Sequence, residues 1–364
     1  MTQPSGSSER RNTAFEVFRG TVSFGSLDGL RCISILLVVM HHAGAHLAGK
    51  SFLRFGYLGV DLFFAISGFL ITTLLLREAE RNGAICLRNF YMRRVLRIFP
   101  LYYAVLGFYA VTVGLMEKDV PTRDAFYENL PYFLTYTSNW FVALDQPRVI
   151  FYYAWSLATE EQFYLALPPI LALLGKRAAV LVVFGLLVIR GLASAGGLDA
   201  VFDPSGVPAR IVRSVMPSLV LGVLGAFALH ERRSFGWLYA ALGRRWVAPT
   251  LLVGMFGLMQ LNLTHLWVMH PWMACLVLSC VIREDHAAAG VLKTRPMVRV
   301  GAVSYGIYLL HMPMRQVVQR ILPGWEQTQP LVFFLAVAGL SFLAAELSYR
   351  WFESRFLRLR SRFR

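Results

Sequence analysis

Arg31 and His42 lie eleven residues apart in one apolar stretch of the chain. At about 100° per residue, a helix brings them within about 20° of the same face and about 16 Å apart along its axis. His41 falls about 80° away and faces a different neighbour. Ionisable groups inside an apolar helix are costly and mark functional candidates. An imidazole, whose unperturbed pKa is about 6.5, suits proton transfer near neutrality. The plainer alternative is that both side chains snorkel or cap the ends of their helix.

A second pair of polar groups supplies what one histidine lacks. Glu160 and Glu161 sit in the run Trp155-Ser156-Leu157-Ala158-Thr159-Glu160-Glu161-Gln162-Phe163-Tyr164. They lie about 12–14 Å below the start of that helix, and His42 lies about 9 Å below the end of its own. The topology below places all three in the outer half of a membrane. A carboxylate that orients a histidine and stabilises its protonated form is a known catalytic arrangement. A structural ion pair or a capped helix start is the alternative.

These residues need a frame, and composition names it. The 364 residues are 56% hydrophobic and only 16% charged, against about 25% charged in soluble domains. Mean hydropathy is +0.53, so the chain reads as an all-α polytopic membrane helical bundle. The formal charge is +15, and 32 of the 36 basic residues are arginine. Basic residues of membrane proteins gather on cytoplasmic loops, which explains the charge without nucleic acid. Cys32, Cys86, Cys275 and Cys280 show no paired spacing, so neither disulfides nor a metal site is expected.

Ten stretches approach the roughly 20 apolar residues a membrane helix needs: 27–48, 57–77, 97–116, 152–174, 178–195, 211–230, 247–264, 266–283, 302–322 and 330–351. Residues 126–144, interrupted by Pro131, read as an interfacial or re-entrant piece. Residues 262–265 must make a very tight turn. With the N-terminus inside and the spans alternating, the inner segments hold 25 of the 36 Lys and Arg. That bias supports an N-in/C-in arrangement. Residues 1–26 read as a mobile cytoplasmic tail, 27–352 as the membrane domain, and 353–364 as a basic cytoplasmic tail.

Five motifs occur in a fixed order. They are Leu27-Asp28-Gly29-Leu30-Arg31 with His42, residues 59–70, residues 90–100, residues 155–164, and residues 303–311. In these the chain resembles the acyltransferase-3 family of bacterial integral-membrane acyltransferases, over about residues 27–352. Where the family often closes its last span with a Glu-x-Pro-like ending, this chain has Phe352-Glu353-Ser354-Arg355.

The resemblance implies transfer of an acyl group, usually acetyl, from acyl-CoA to a carbohydrate hydroxyl. The acceptor class is a surface glycan, exopolysaccharide, lipid-linked sugar or glycosylated natural product, and the location the bacterial cytoplasmic membrane, among its lipids. It maps the family's Arg–His element onto Arg31 and His42, its arginine-rich motif onto Arg93, Arg94 and Arg97, and its carboxylate motif onto Glu160 and Glu161. Arginine suits phosphate, so the three arginines are expected to hold the phosphates of acyl-CoA. His42 is expected to act as general base, Arg31 to hold the donor or stabilise developing charge. Tyr308 and Trp155 are candidate acceptor contacts. His311 either lines the acceptor cavity or bonds a backbone carbonyl. No permanently bound cofactor is expected, and an oligomer is compatible with the sequence. The rival reading is a glycolipid or polysaccharide transporter or flippase, with the same polar residues as transport sites.

Overall fold

The computed structural model describes residues 7–43, 54–144, 148–199, 201–203 and 206–363. Among these every regular element is helical. The first nine helices in chain order are α1 Ser7–Gly20, α2 Gly25–His42, α3 Leu58–Asn82, α4 Leu87–Met116, α5 Val120–Leu134, α6 Ser138–Phe141, α7 Ala154–Ser194, α8 Val207–Arg213 and α9 Pro217–Leu229. The others are α10 Arg232–Leu242, α11 Val247–Gln260, α12 Leu266–Ile282, α13 Ala289–Leu292, α14 Arg295–Ala302, α15 Ser304–Ile321, α16 Trp325–Thr328, α17 Pro330–Ser348 and α18 Ser354–Leu359. The chain divides into two compact units, one of Met1–Arg77 with Pro217–Leu347, the other of Glu78–Met216 with Ser348–Arg364.

Among the described residues, four helical runs are long and apolar enough to cross a membrane: α3, α4, α7 and Pro330–Phe363. Two bent pairs, α1 with α2 at 71° and α8 with α9 at 47°, bring the number to six if each counts as one span. α11 and α12 are apolar but shorter. α15 has 18 residues but carries His311, Arg315 and Arg320, which lower its hydropathy. The most apolar window of α3 is 78% buried and that of α7 only 11%. A helix apolar all round is either a core helix or lipid-facing, and these two are one of each. Leu165, Leu173, Leu181 and Phe184 are among the exposed apolar side chains of α7.

In the first unit, α2 packs against α12, α13, α14 and α15. Asp28 lies in its first turn and His41 and His42 in its last, where each charge type suits the helix dipole. Residues 44–48 of the expected first span lie outside the described residues. α3 meets α9 through paired glycines. A Cβ on Gly68 would sit 2.2 Å from the Leu219 carbonyl oxygen, and one on Gly222 2.3 Å from that of Ala65. Only glycine permits this approach.

Several boundaries differ from the sequence reading. Residues 7–20 form a helix rather than a mobile tail. Phe15 and Phe18 are buried, packing on Phe235 of α10 with ring centroids 5.1 and 5.7 Å apart. Two aromatic anchors in a polar stretch hold the helix without any long apolar run. The expected spans 152–174 and 178–195 form one helical run broken at Gly175 (φ 76°), a left-handed conformation suited to glycine. The piece 126–144 resolves into α5 and α6, separated at Tyr136 (φ 54°). Between α11 and α12 the tight turn is present, with Asn262 at φ 59°. The last helix passes through a π-helical turn, Tyr349–Glu353, into α18 and a 3₁₀ turn, Arg360–Phe363. In the second unit both α18 and the 3₁₀ turn pack on α4, so residues 354–363 are docked helix.

Candidate active site

His42 ends α2 and His311 lies in the middle of α15, on helices that pack together in the first unit. His311 Nε2 lies 2.9 Å from His42 Nδ1. The two rings stack with centroids 4.9 Å apart and planes at 28°. His311 Nδ1 faces the carbonyl oxygen of Tyr308, three residues earlier. A carbonyl oxygen only accepts, so His311 Nδ1 carries the hydrogen and donates it. In the neutral ring Nε2 is then an acceptor, and it takes the Nδ1–H of His42. Nε2 of His42 is left with the basic lone pair. One backbone carbonyl thus sets the tautomers of both imidazoles. His311 satisfies the backbone-carbonyl alternative from the sequence and also orients His42.

Arg315 lies one helical turn beyond His311, and its charge is felt at both imidazoles. It donates from Nη2 to Glu326 Oε1 at 2.6 Å, a pair largely shielded from solvent. His41 packs edge-on to Tyr57 at 5.6 Å, the different neighbour its helical angle implied. Arg31 donates to Asp28 at 3.1 Å, one turn earlier on α2. The sequence reading gave Arg315 no role. Its i,i+4 spacing from His311 was the available signal.

The same unit holds a second buried polar cluster, of which the motif at residues 59–70 contains only Asp61. Asp61 of α3 and His270 of α12 are 5% and 3% exposed. The Ser218 backbone N–H donates to His270 Nδ1 at 3.1 Å. That leaves the His270 hydrogen on Nε2, 3.3 Å from Asp61 Oδ1.

In the second unit, α4 and α7 carry the other candidates. Arg93 donates from Nη2 to Glu78 at 2.8 Å and from Nη1 to the Phe363 carbonyl at 2.7 Å. Arg94 lies between aromatic rings, its guanidinium carbon 5.7 Å from the Phe90 centroid and 5.5 Å from that of Tyr164. The charges of Glu160, Glu161 and Arg360 reach it. Tyr164 Oη donates to Glu160. Arg97 lies near Glu353 of the π-helical turn, and Ser348 donates to Glu353 at 3.0 Å. Trp155 lies in the first turn of α7, and its carbonyl accepts the Thr159 hydroxyl at 3.1 Å. The structure therefore joins His42, His311 and Tyr308 in one unit. It gathers Arg94, Glu160 and Glu161 in the other.

A family model described as an acyltransferase domain matches residues 24–350. The chain belongs to this acyltransferase family. Among curated relatives, the chain is 28% identical to peptidoglycan O-acetyltransferase OatA of Listeria monocytogenes, over 90% of this chain and 55% of that protein. It is also 28% identical to the putative peptidoglycan O-acetyltransferase YrhL of Bacillus subtilis, over 90% of this chain and 54% of that protein. A putative O-acetyltransferase of Staphylococcus aureus is 27% identical over 91% of this chain and 56% of its own length. The chain thus spans about half the length of these relatives. No solved structure matches it. The match to the acyltransferase family takes in α2, α4, α7 and α15, the helices that carry the candidate residues.

Proposed function

We propose that this protein is a membrane O-acyltransferase of the bacterial cytoplasmic membrane, moving an acyl group, foremost acetyl, from acyl-CoA to a carbohydrate hydroxyl. The carrying observation is the Tyr308 carbonyl–His311–His42 chain, which leaves His42 Nε2 as a base with a defined lone pair. In the proposed step His42 Nε2 takes the proton of the acceptor hydroxyl as its oxygen attacks the thioester carbonyl. The C–S bond breaks, and the thiolate leaves with the proton from His42 as free coenzyme A. An ester remains on the acceptor. While His42 is charged, its Nδ1–H still donates to neutral His311, which stabilises the imidazolium.

Arg31 is assigned to the donor or to the developing negative charge. Arg93, Arg94 and Arg97 are assigned to the phosphates of acyl-CoA. Glu160 and Glu161 are assigned to positioning Arg94, whose charge they face. The names of the relatives favour a glycan acceptor of the peptidoglycan type. The N-in/C-in arrangement would give the arginine-rich end of α4 access to cytosolic donor.

Purified protein in nanodiscs, with acetyl-CoA and peptidoglycan fragments, tests the reading. Thiol release together with acetylated glycan by mass spectrometry is expected, and His42→Ala should lower both by about 10²-fold or more. Undiminished transfer by His42→Ala would overturn the general-base role, and absence of thiol release from wild type would overturn the donor.

A further inference from the structure

Residues 354–363 read Ser-Arg-Phe-Leu-Arg-Leu-Arg-Ser-Arg-Phe. Four of the ten are arginine and none is acidic. Such a run repels itself and ordinarily stays solvated and extended. Here it is helical and docked on α4 within the second unit. The structure shows how it is held. The helix continues from α17 through the π-helical turn into the segment, and the Arg93 guanidinium donates to the Phe363 carbonyl at 2.7 Å.

This docking concentrates like charge. Arg360 lies close enough to the shielded Arg94 for each guanidinium to feel the other. The arginines of α4 already have acidic neighbours: Glu78 on Arg93, Glu353 near Arg97, and Glu160 and Glu161 beside Arg94. The docked segment adds four more positive charges and no carboxylate of its own. Arg355, Arg358 and Arg362 are exposed. An arginine-rich surface beside a shielded guanidinium matches a multiply charged phosphate ligand.

We propose that residues 354–363 are part of the acyl-CoA site. Arg93 acts as the strut that docks the segment, and Arg358, Arg360 and Arg362 bind the nucleotide phosphates. This rests on the reading that the arginine motif of α4 receives acyl-CoA, and it adds the C-terminal segment to that phosphate site.

Binding of coenzyme A and of pantetheine, which lacks the nucleotide and its phosphates, to the full-length protein in nanodiscs tests it. Wild type should bind coenzyme A more tightly than pantetheine. The triple variant Arg358→Gln/Arg360→Gln/Arg362→Gln should weaken coenzyme A binding by about 10-fold or more and leave pantetheine binding unchanged. The Arg→Lys triple variant, which keeps the charge, should recover part of the loss and serves as the folding control. Unchanged coenzyme A affinity in the Gln variant, with wild type still preferring coenzyme A, overturns the segment's role alone. Equal weakening of both ligands makes the segment a structural strap and also overturns it. No preference of wild type for coenzyme A overturns the donor-site reading and this inference with it.

Discussion

His42 and His311 stand 269 residues apart in sequence and share one hydrogen bond of 2.9 Å. The direction of that bond is dictated from outside the pair, by the carbonyl of Tyr308. A histidine that receives a proton in the reaction gains from a partner that stays neutral and accepts. His311 has that character without the desolvation cost of a buried carboxylate.

The pair makes an ordered prediction. His42→Ala should lower acyl transfer by about 10²–10⁴-fold, the range of a lost general base. His311→Ala should lower it less. His311→Gln keeps an acceptor oxygen for His42 Nδ1–H and should retain more activity than His311→Ala. Transfer rates with acetyl-CoA rank the three. Equal loss in both His311 variants would deny the orienting bond.

The Asp61–His270 pair predicts a non-additive stability pattern. His270→Ala removes the imidazole that faces the buried Asp61 and should cost about 1–3 kcal/mol, the cost of leaving a buried polar group less satisfied. Asp61→Leu combined with His270→Leu removes both polar groups and should cost less than His270→Ala alone. Thermal unfolding in detergent, read as a double-mutant cycle, measures the coupling. Additive losses would mean the contact contributes no specific interaction.

Two glycines predict opposite signs. Gly68→Ala puts a methyl 2.2 Å from the Leu219 carbonyl oxygen, and helix α3 must shift. Overpacking of this kind costs about 1–3 kcal/mol. Gly257 lies within α11 with nothing within 4 Å of an added Cβ. Gly257→Ala should be neutral or stabilising, by up to about 1 kcal/mol from helix propensity. Melting temperatures of the two variants against wild type decide the matter.

His286 gives the pH dependence. It lies in the segment between α12 and α13, buried, with Nε2 3.0 Å from Ser26 Oγ. Burial, aided by the nearby Lys293 charge, pushes its pKa down from 6.5 to about 4. The unfolded chain takes up this proton as pH falls through about 6.5, and the folded protein only near 4. The folded state should therefore lose stability as pH falls through that window. Above about 6.5 both states are neutral at this site and its contribution is constant. His286→Gln should flatten the decline in melting temperature between those limits, and an unchanged slope would assign it to other groups.

Legibility followed distance along the chain. The Arg31–His42 spacing, the apolar spans and the turn at Asn262 are local periodicities, and a single sequence displays them. The docked α1 was not legible, because Phe15 and Phe18 find their partner in Phe235, more than 200 residues away. The His42–His311 bond and the Asp61–His270 pair need helices from opposite ends of the chain to meet, and no spacing encodes that. Glu353 was visible as part of an incomplete terminal motif. Its nearness to Arg97 of α4 depends on the helix continuing past it, which the absent proline left open.

The π-helical turn at Tyr349–Glu353 also fixes a phase. Such a turn behaves as one extra residue spliced into an α-helix, so everything after it is rotated by about 100° relative to an uninterrupted helix. Residues 354–363 pack on α4 in that rotated setting. Deleting a single residue such as Trp351 would remove that offset and turn residues 354–363 about 100° about their own axis without changing one charge. Register here decides which side of residues 354–363 packs on α4.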